Sequence, residues 1–277
     1  MIRLLHIEFI KLWNNRASKV LVITYFALLT SIALIAAIKF DIGPIKFHLA
    51  EVGIFNFPYI WHFNTFVTGF FKLFLAIVIV SMMANEYSNK TIKQNLIDGL
   101  SKKEFILSKF LTVITFAIVS TIFVFFVSLI LGLIYSDFNE LSIIFSDLTF
   151  VFAFFIKLIG FFSFCLFLGI LVKRSAFALG FLIVWQILEG IFRGLIRWKL
   201  FDANATDTVM GFFPLQSMFN LIKEPFTRLE AVQTVADQVG EKISLNYHTH
   251  WYEILIVLAW TAIFIYSSYA LLKKRDL

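Results

Sequence analysis

The chain has 277 residues, of which 60% are hydrophobic, 36 are phenylalanine and only 15% are charged, and its mean hydropathy is +0.87. Values this far from those of soluble globular domains exclude a water-soluble enzyme and identify an integral membrane protein. The net charge of +6 and the single Cys165 exclude an intrachain disulfide and a thiolate metal site, and the charge reports topology, so no nucleic-acid partner is expected.

Residues 1–19 alternate Leu5, Phe9, Leu12 and Trp13 with Arg3, Glu8, Lys11 and Arg16, the pattern of a helix lying in the membrane interface. A plain basic lead-in is the alternative. Six apolar runs follow, at 20–38, 63–83, 110–135, 148–172, 176–192 and 254–272, each near the length that crosses about 30 Å of hydrocarbon. The first is too far from the start for a cleaved leader and is expected to stay as an anchor. The second has an apolar, aromatic lead at 54–62, where Pro58 predicts a bent or partly re-entrant start. The expected fold is therefore all-α: six transmembrane helices in one domain spanning 1–277, an interfacial N-terminal helix, a short cytoplasmic helix, and a partly re-entrant external segment.

Lys and Arg concentrate on one side of these runs: Arg3, Lys11, Arg16 and Lys19; Lys90, Lys93, Lys102, Lys103 and Lys109; Lys173 and Arg174; Lys273, Lys274 and Arg275. They are fourteen of the 24 basic residues. The loop 136–147 carries three acids and no base, so both termini are expected in the cytoplasm.

The polar interval 85–109 then faces the cytoplasm, and it reads as two helices with a corner. Ile92, Leu96 and Ile97 form an apolar stripe opposite Lys93, Gln94, Asn95 and Asp98, and Gly99 supplies a left-handed stop. Ser101 with Glu104 forms a capping box, flanked by Leu100 and Phe105 as a hydrophobic staple. The other polar segment, 197–250, is external. Within it 210–222 is too short and punctuated to span, and Leu229, Val232, Ala236 and Val239 recur at helical spacing over a small amphipathic helix.

No Gly-x-x-x-x-Gly-Lys-Ser/Thr, His-Glu-x-x-His or Gly-x-Ser-x-Gly run occurs, so the chain is not expected to hydrolyse ATP, and no catalytic residue, metal or cofactor is assigned to it. His248 and His250 lack a third ligand and read as interfacial. Four ionisable residues lie within or at the rim of the spans: Lys72, Lys157, Glu189 and Arg193. Such residues usually face a bundle interior or a wet cavity, which makes them candidates for a translocation path that attracts an anion. In the alternative, the lysines snorkel and Glu189 neutralises Arg193 one turn later. Gly190 and Gly194 have the spacing of a close-packing dimer face.

In the 85–109 interval the chain resembles the type-2 ABC exporter permeases, the membrane subunits of transporters whose ATPase is a separate chain. Glu86, Thr91, Leu96, Ser101 and Lys109 match that family's pattern in type and order. Lys90 stands where Gly is common, Gly99 where Pro is common and Lys102 where Arg is common. The resemblance implies a permease subunit of an ATP-driven exporter in the inner membrane of a bacterium. It implies a dimer with an identical or sister permease, and partner ATPase subunits that bind ATP and Mg. It also implies a coupling helix at 91–98 docked on the ATPase through Glu86, Thr91, Leu96, Gly99, Ser101, Lys102, Glu104 and Lys109, with Glu86 contacting the ATPase or fixing the loop. The segment 197–250 offers a place for an extracytoplasmic partner. The competing reading is a non-transporting membrane scaffold that anchors an assembly or maturation complex.

Overall fold

The computed structural model describes residues 2–37, 39–42, 45–48, 53–200, 202–239 and 246–275. Twelve α-helices occur in them: α1 Ile2–Asn14, α2 Arg16–Ala37, α3 Tyr59–Ser88, α4 Thr91–Ile97, α5 Lys102–Tyr135, α6 Leu141–Ile144, α7 Thr149–Val172, α8 Ser175–Leu200, α9 Ala203–Met210, α10 Pro214–Asn220, α11 Glu230–Val239 and α12 Trp251–Lys274, with a short 3-10 helix at Phe226–Arg228. The expected all-α membrane architecture is what the chain adopts, with one addition. Strands β1 Lys39–Ile42 and β2 Ile45–His48 pair antiparallel after α2.

Five helical stretches among the described residues are long and apolar enough to cross a bilayer, and they cover the expected second to sixth runs. α2 covers the first as far as Ala37, and Ile38 lies outside the described residues. The helices overrun the apolar runs: α3 extends beyond 63–83 at both ends, and α8 continues to Leu200, past the expected stop at Phe192. A helix does not need to end where the hydrocarbon does, because Lys, Arg, Glu and Gln propagate it well in a polar setting. The bend expected around Pro58 precedes α3 rather than interrupting it. Residues Gly53 to Pro58 form turns that bury Ile54, Phe55 and Phe57, and α3 then runs unbroken from Tyr59.

α7 is the most enclosed of the five stretches and packs on α3, α5, α8 and α12. Glycines permit two of these contacts. A Cβ at Gly160 would stand 2.7 Å from Val257 of α12, and one at Gly169 would stand 3.0 Å from the Cβ of Met83 in α3. α8 is the least enclosed, and Gly180, Gly190 and Gly194 on it meet nothing within 4 Å.

The segment after α8 folds onto the bundle. α10 buries Pro214, Leu215, Ser217 and Met218 against α7, α8 and α12. Trp260 of α12 donates its indole N–H to the Phe212 carbonyl at 2.9 Å, holding the turn before α10. α11 occupies the predicted amphipathic stretch. Arg228, just before it, reaches Asp147 at 3.3 Å and the His62 Nδ1 at 3.2 Å. One end of the bundle thus carries α4, and the other carries α10.

Candidate functional site: a charge-locked corner and a buried lysine pair

At the α4 end the predicted corner forms as its local sequence dictates. α4 runs Thr91–Ile97, and Gly99 takes φ +95. The Ser101 hydroxyl accepts from the Glu104 N–H at 3.2 Å, and the Glu104 carboxylate accepts from the Ser101 N–H at 3.0 Å, closing the capping box that starts α5. Phe105 is buried and Leu100 packs on the core beside it. Lys90, where the family commonly has Gly, is itself left-handed at φ 55. The backbone there explains the family's preference, since a left-handed position costs least for Gly.

The apolar stripe of α4 is narrower than expected. Ile92 is buried and Leu96 packs against the core, but Ile97 is 75% exposed. The reason is angular: Ile97 follows Ile92 by five residues and stands about 140° around the helix from it.

Behind α4 lies a cluster of four charges. Lys109, fully buried at the start of the α5 span, donates to Glu8 of α1 and Glu86 of α3, both at 2.6 Å. Lys11 reaches the same Glu86 oxygen at 2.9 Å, and the Thr91 hydroxyl donates to the other. Burial works against a charged Lys11, but the Glu8 and Glu86 carboxylates outweigh it and hold its pKa above the ordinary lysine value. Two acids and two lysines cancel, so the cluster is electrically closed. Both oxygens of the buried Glu86 carboxylate are bonded within the chain.

Glu8 is the member that periodicity did not reveal, because it was read with the polar face of α1. Its spacing was the available signal: Leu5, Glu8, Phe9 and Leu12 fall at i, i+3, i+4 and i+7, the core-facing positions. Arg275 was a second omission. Its guanidinium donates to the Leu171 carbonyl at 3.0 Å and the Tyr87 hydroxyl at 3.0 Å, and also to the Ile170 carbonyl. Lys102 in turn donates to the Arg275 carbonyl at 3.0 Å. The ends of α3, α7 and α12 and the start of α5 are thereby tied together. Lys102 also donates to the Lys273 carbonyl at 3.4 Å, so its ammonium serves two carbonyls at the end of α12.

The four intramembrane candidates separate into two groups. The expected Glu189–Arg193 pair does not form. Glu189, 6% exposed, accepts from the backbone N–H groups of Leu215 at 3.0 Å and Gln216 at 2.9 Å, and from the Trp185 indole at 2.8 Å. A carboxylate satisfied by three donors at the start of α10 has no call for a neighbouring cation. Arg193 instead pairs with Asp207 at 2.6 Å and lines a cavity of about 700 Å³ at the α10 end.

Lys72 and Lys157 come together on the facing helices α3 and α7. The Lys157 ammonium would be 3.8 Å from a Cβ at Gly69, one turn before Lys72. It also lies 5.4 Å from the ring centroid of Phe219 in α10, and Lys72 lies 4.2 Å from that of Phe161. Lys157 is only 3% exposed, so it does not snorkel out of the bundle. Neither amine has an ion-pair or hydrogen-bond partner among the described residues. No group of three metal-ligating side chains occurs among the described residues. His250 stacks on Tyr252, and its backbone N–H is bound by Glu253.

Compared with known proteins, residues 16–277 match the sequence model of a family described as ABC-2 family transporter protein. No curated protein matches the chain.

Proposed function

The chain belongs to the ABC-2 family of transporter proteins, whose model covers nearly all of it, and from that premise we propose that it is the permease subunit of an ABC exporter, driven through α4 by a separate ATPase. The multi-pass helical bundle suits the permease role. In this reading ATP and Mg bind the partner subunit and this chain is no enzyme in itself, which the lack of a P-loop run in the sequence supports. In this reading the α4 end faces the cytoplasm of a bacterium, as its basic residues favour, and a second permease, identical or sister, completes the transporter.

The observation that carries the proposal is the contrast within α4. Its inner face is anchored by Ile92 and, through Thr91, by the Glu86 cluster, while Ile97 is left 75% exposed at its tip. An anchored helix with an apolar tip can seat in a partner and pass its displacement on. The Ser101–Glu104 capping box joins it to α5, and Lys109 joins α5 to α1 and α3.

Ile97→Asp tests this. The substitution removes the tip from any apolar seat without touching a buried contact, so thermal stability and helix content should stay at wild-type values. A P-loop ATPase should copurify with the wild-type chain and be lost at least tenfold with the variant. If the wild-type chain brings down no such ATPase, or the variant retains it, the coupling role of α4 fails.

A further inference from the structure

We propose that Lys72 and Lys157 form a headgroup subsite for an anionic amphiphile, one carboxylate or phosphate on an apolar body, reached from the cavity at the α10 end. This deepens the transporter reading and rests on it.

The geometry is a ladder of alternating rings and cations that descends into the bundle. Phe219 lines the cavity of about 700 Å³ and carries the Lys157 ammonium on its face. Lys157 stands eight residues into α7, about 12 Å below its start at 1.5 Å per residue. Phe161, one turn further down α7, carries the Lys72 ammonium. Each cation is therefore matched with a ring within α7 and α10, and each ring marks the next step inward.

Unpaired ammonium groups at this depth are costly. A ring face returns only part of the lost hydration, and the rest of the desolvation penalty stays unmet. Two like charges on the facing helices α3 and α7 also repel each other. Elsewhere this chain closes its buried charges: Lys109 is enclosed by two carboxylates, and Glu189 is satisfied by three donors. Among the described residues the buried Lys157 and the half-buried Lys72 are left open. An anion placed between the two would relieve both the desolvation and the repulsion. A Cβ at Gly69 would be in ordinary contact with the Lys157 ammonium at 3.8 Å, which places that ammonium beside the α3 backbone one turn before Lys72.

The rest of the ligand is set by the wall of the cavity. Phe212, Phe219 and Ile256 line it, so a ligand whose charge reaches the lysines keeps its body against apolar side chains. A small hydrophilic anion would gain the charge contact and waste the wall. A cationic or zwitterionic amphiphile would gain the wall and meet two positive charges.

The test is equilibrium binding of radiolabelled oleate to the purified, detergent-solubilised full chain, with competition by lysophosphatidate, oleylamine or inorganic phosphate. The expected result is saturable oleate binding that lysophosphatidate displaces and oleylamine and inorganic phosphate do not. Lys72→Met and Lys157→Met should each weaken it at least tenfold, and Lys72→Arg should lose less than Lys72→Met. Met at either position removes an unpaired ammonium, so Tm should hold or rise, and loss of binding is then not loss of fold. Oleate binding within twofold of wild type in the double Met variant overturns the proposal. So does the absence of oleate binding, or displacement by oleylamine or inorganic phosphate as effective as by lysophosphatidate. No ATPase is present in the assay, so its outcome is independent of the Ile97 experiment.

Discussion

Lys109 shows how much one side chain can hold. It is fully buried, it bonds Glu8 and Glu86 at 2.6 Å, and it joins segments 101 and 23 residues away in the chain. Breaking such a pair from one side leaves a buried charge without a partner, which costs about 3–5 kcal/mol. Lys109→Met is therefore expected to lower stability by that amount, read as a fall in Tm of the purified chain. Glu8→Gln in the same background should recover part of the loss, because without Lys109 the Glu8 carboxylate keeps only Lys11 at 3.7 Å, whereas Glu86 keeps Lys11 at 2.9 Å. Equal losses for the single and double variants would show that the cluster does not act as a unit. Residue-scale pairing of this kind was the part least legible in the sequence. Nothing in the periodicity of α1 names the partner of Glu8, and Arg275 looked like one more basic residue at the end of a span. Both meet their partners only after the bundle has closed. What sequence did signal was that Glu8 occupied a core-facing position, and an acid there demands a partner.

At the scale of the element, the α4 corner was read almost completely, and its ends explain why. Its stops and starts are local: the left-handed Gly99, the reciprocal Ser101–Glu104 bonds and the Phe105 staple all act within seven residues. The misread residue was Ile97, because apolar character was taken as burial. In the proposed coupling role, apolar character at the tip of α4 marks contact with a partner. The dihedral angles give this element its own test. Lys90→Gly relieves a left-handed lysine and should raise stability by about 1 kcal/mol, whereas Gly99→Pro, which restores the family's common residue, should lower it by about 3 kcal/mol. Proline is fixed near φ −65° and cannot adopt +95°. Thermal denaturation of the two variants checks both signs. The α10 segment was legible only as something too short to span. That Glu189 anchors it required knowing that the segment returns to α8.

For the whole molecule, the positive charges that ordered the spans predict which end faces which solution. Cys165 is fully buried, so the wild-type chain should stay unlabelled by a membrane-impermeant maleimide and can serve as the blank. Asn139→Cys, in the exposed loop after α5, should label on intact cells. Lys103→Cys, exposed at the start of α5, should label only after the membrane is opened. The reverse pattern would invert the topology and remove α4 from the reach of a cytoplasmic ATPase. The glycine contacts of α7 carry a further consequence for how a machine of this shape can move. Where Gly160 meets Val257 and Gly169 meets Met83, backbones sit too close to slide past one another without collision. α3, α7 and α12 are in that sense one block, and α8 is held to it through Glu189 and α10. A stroke begun at α4 would then carry the block as a unit, with the lysine pair built into it.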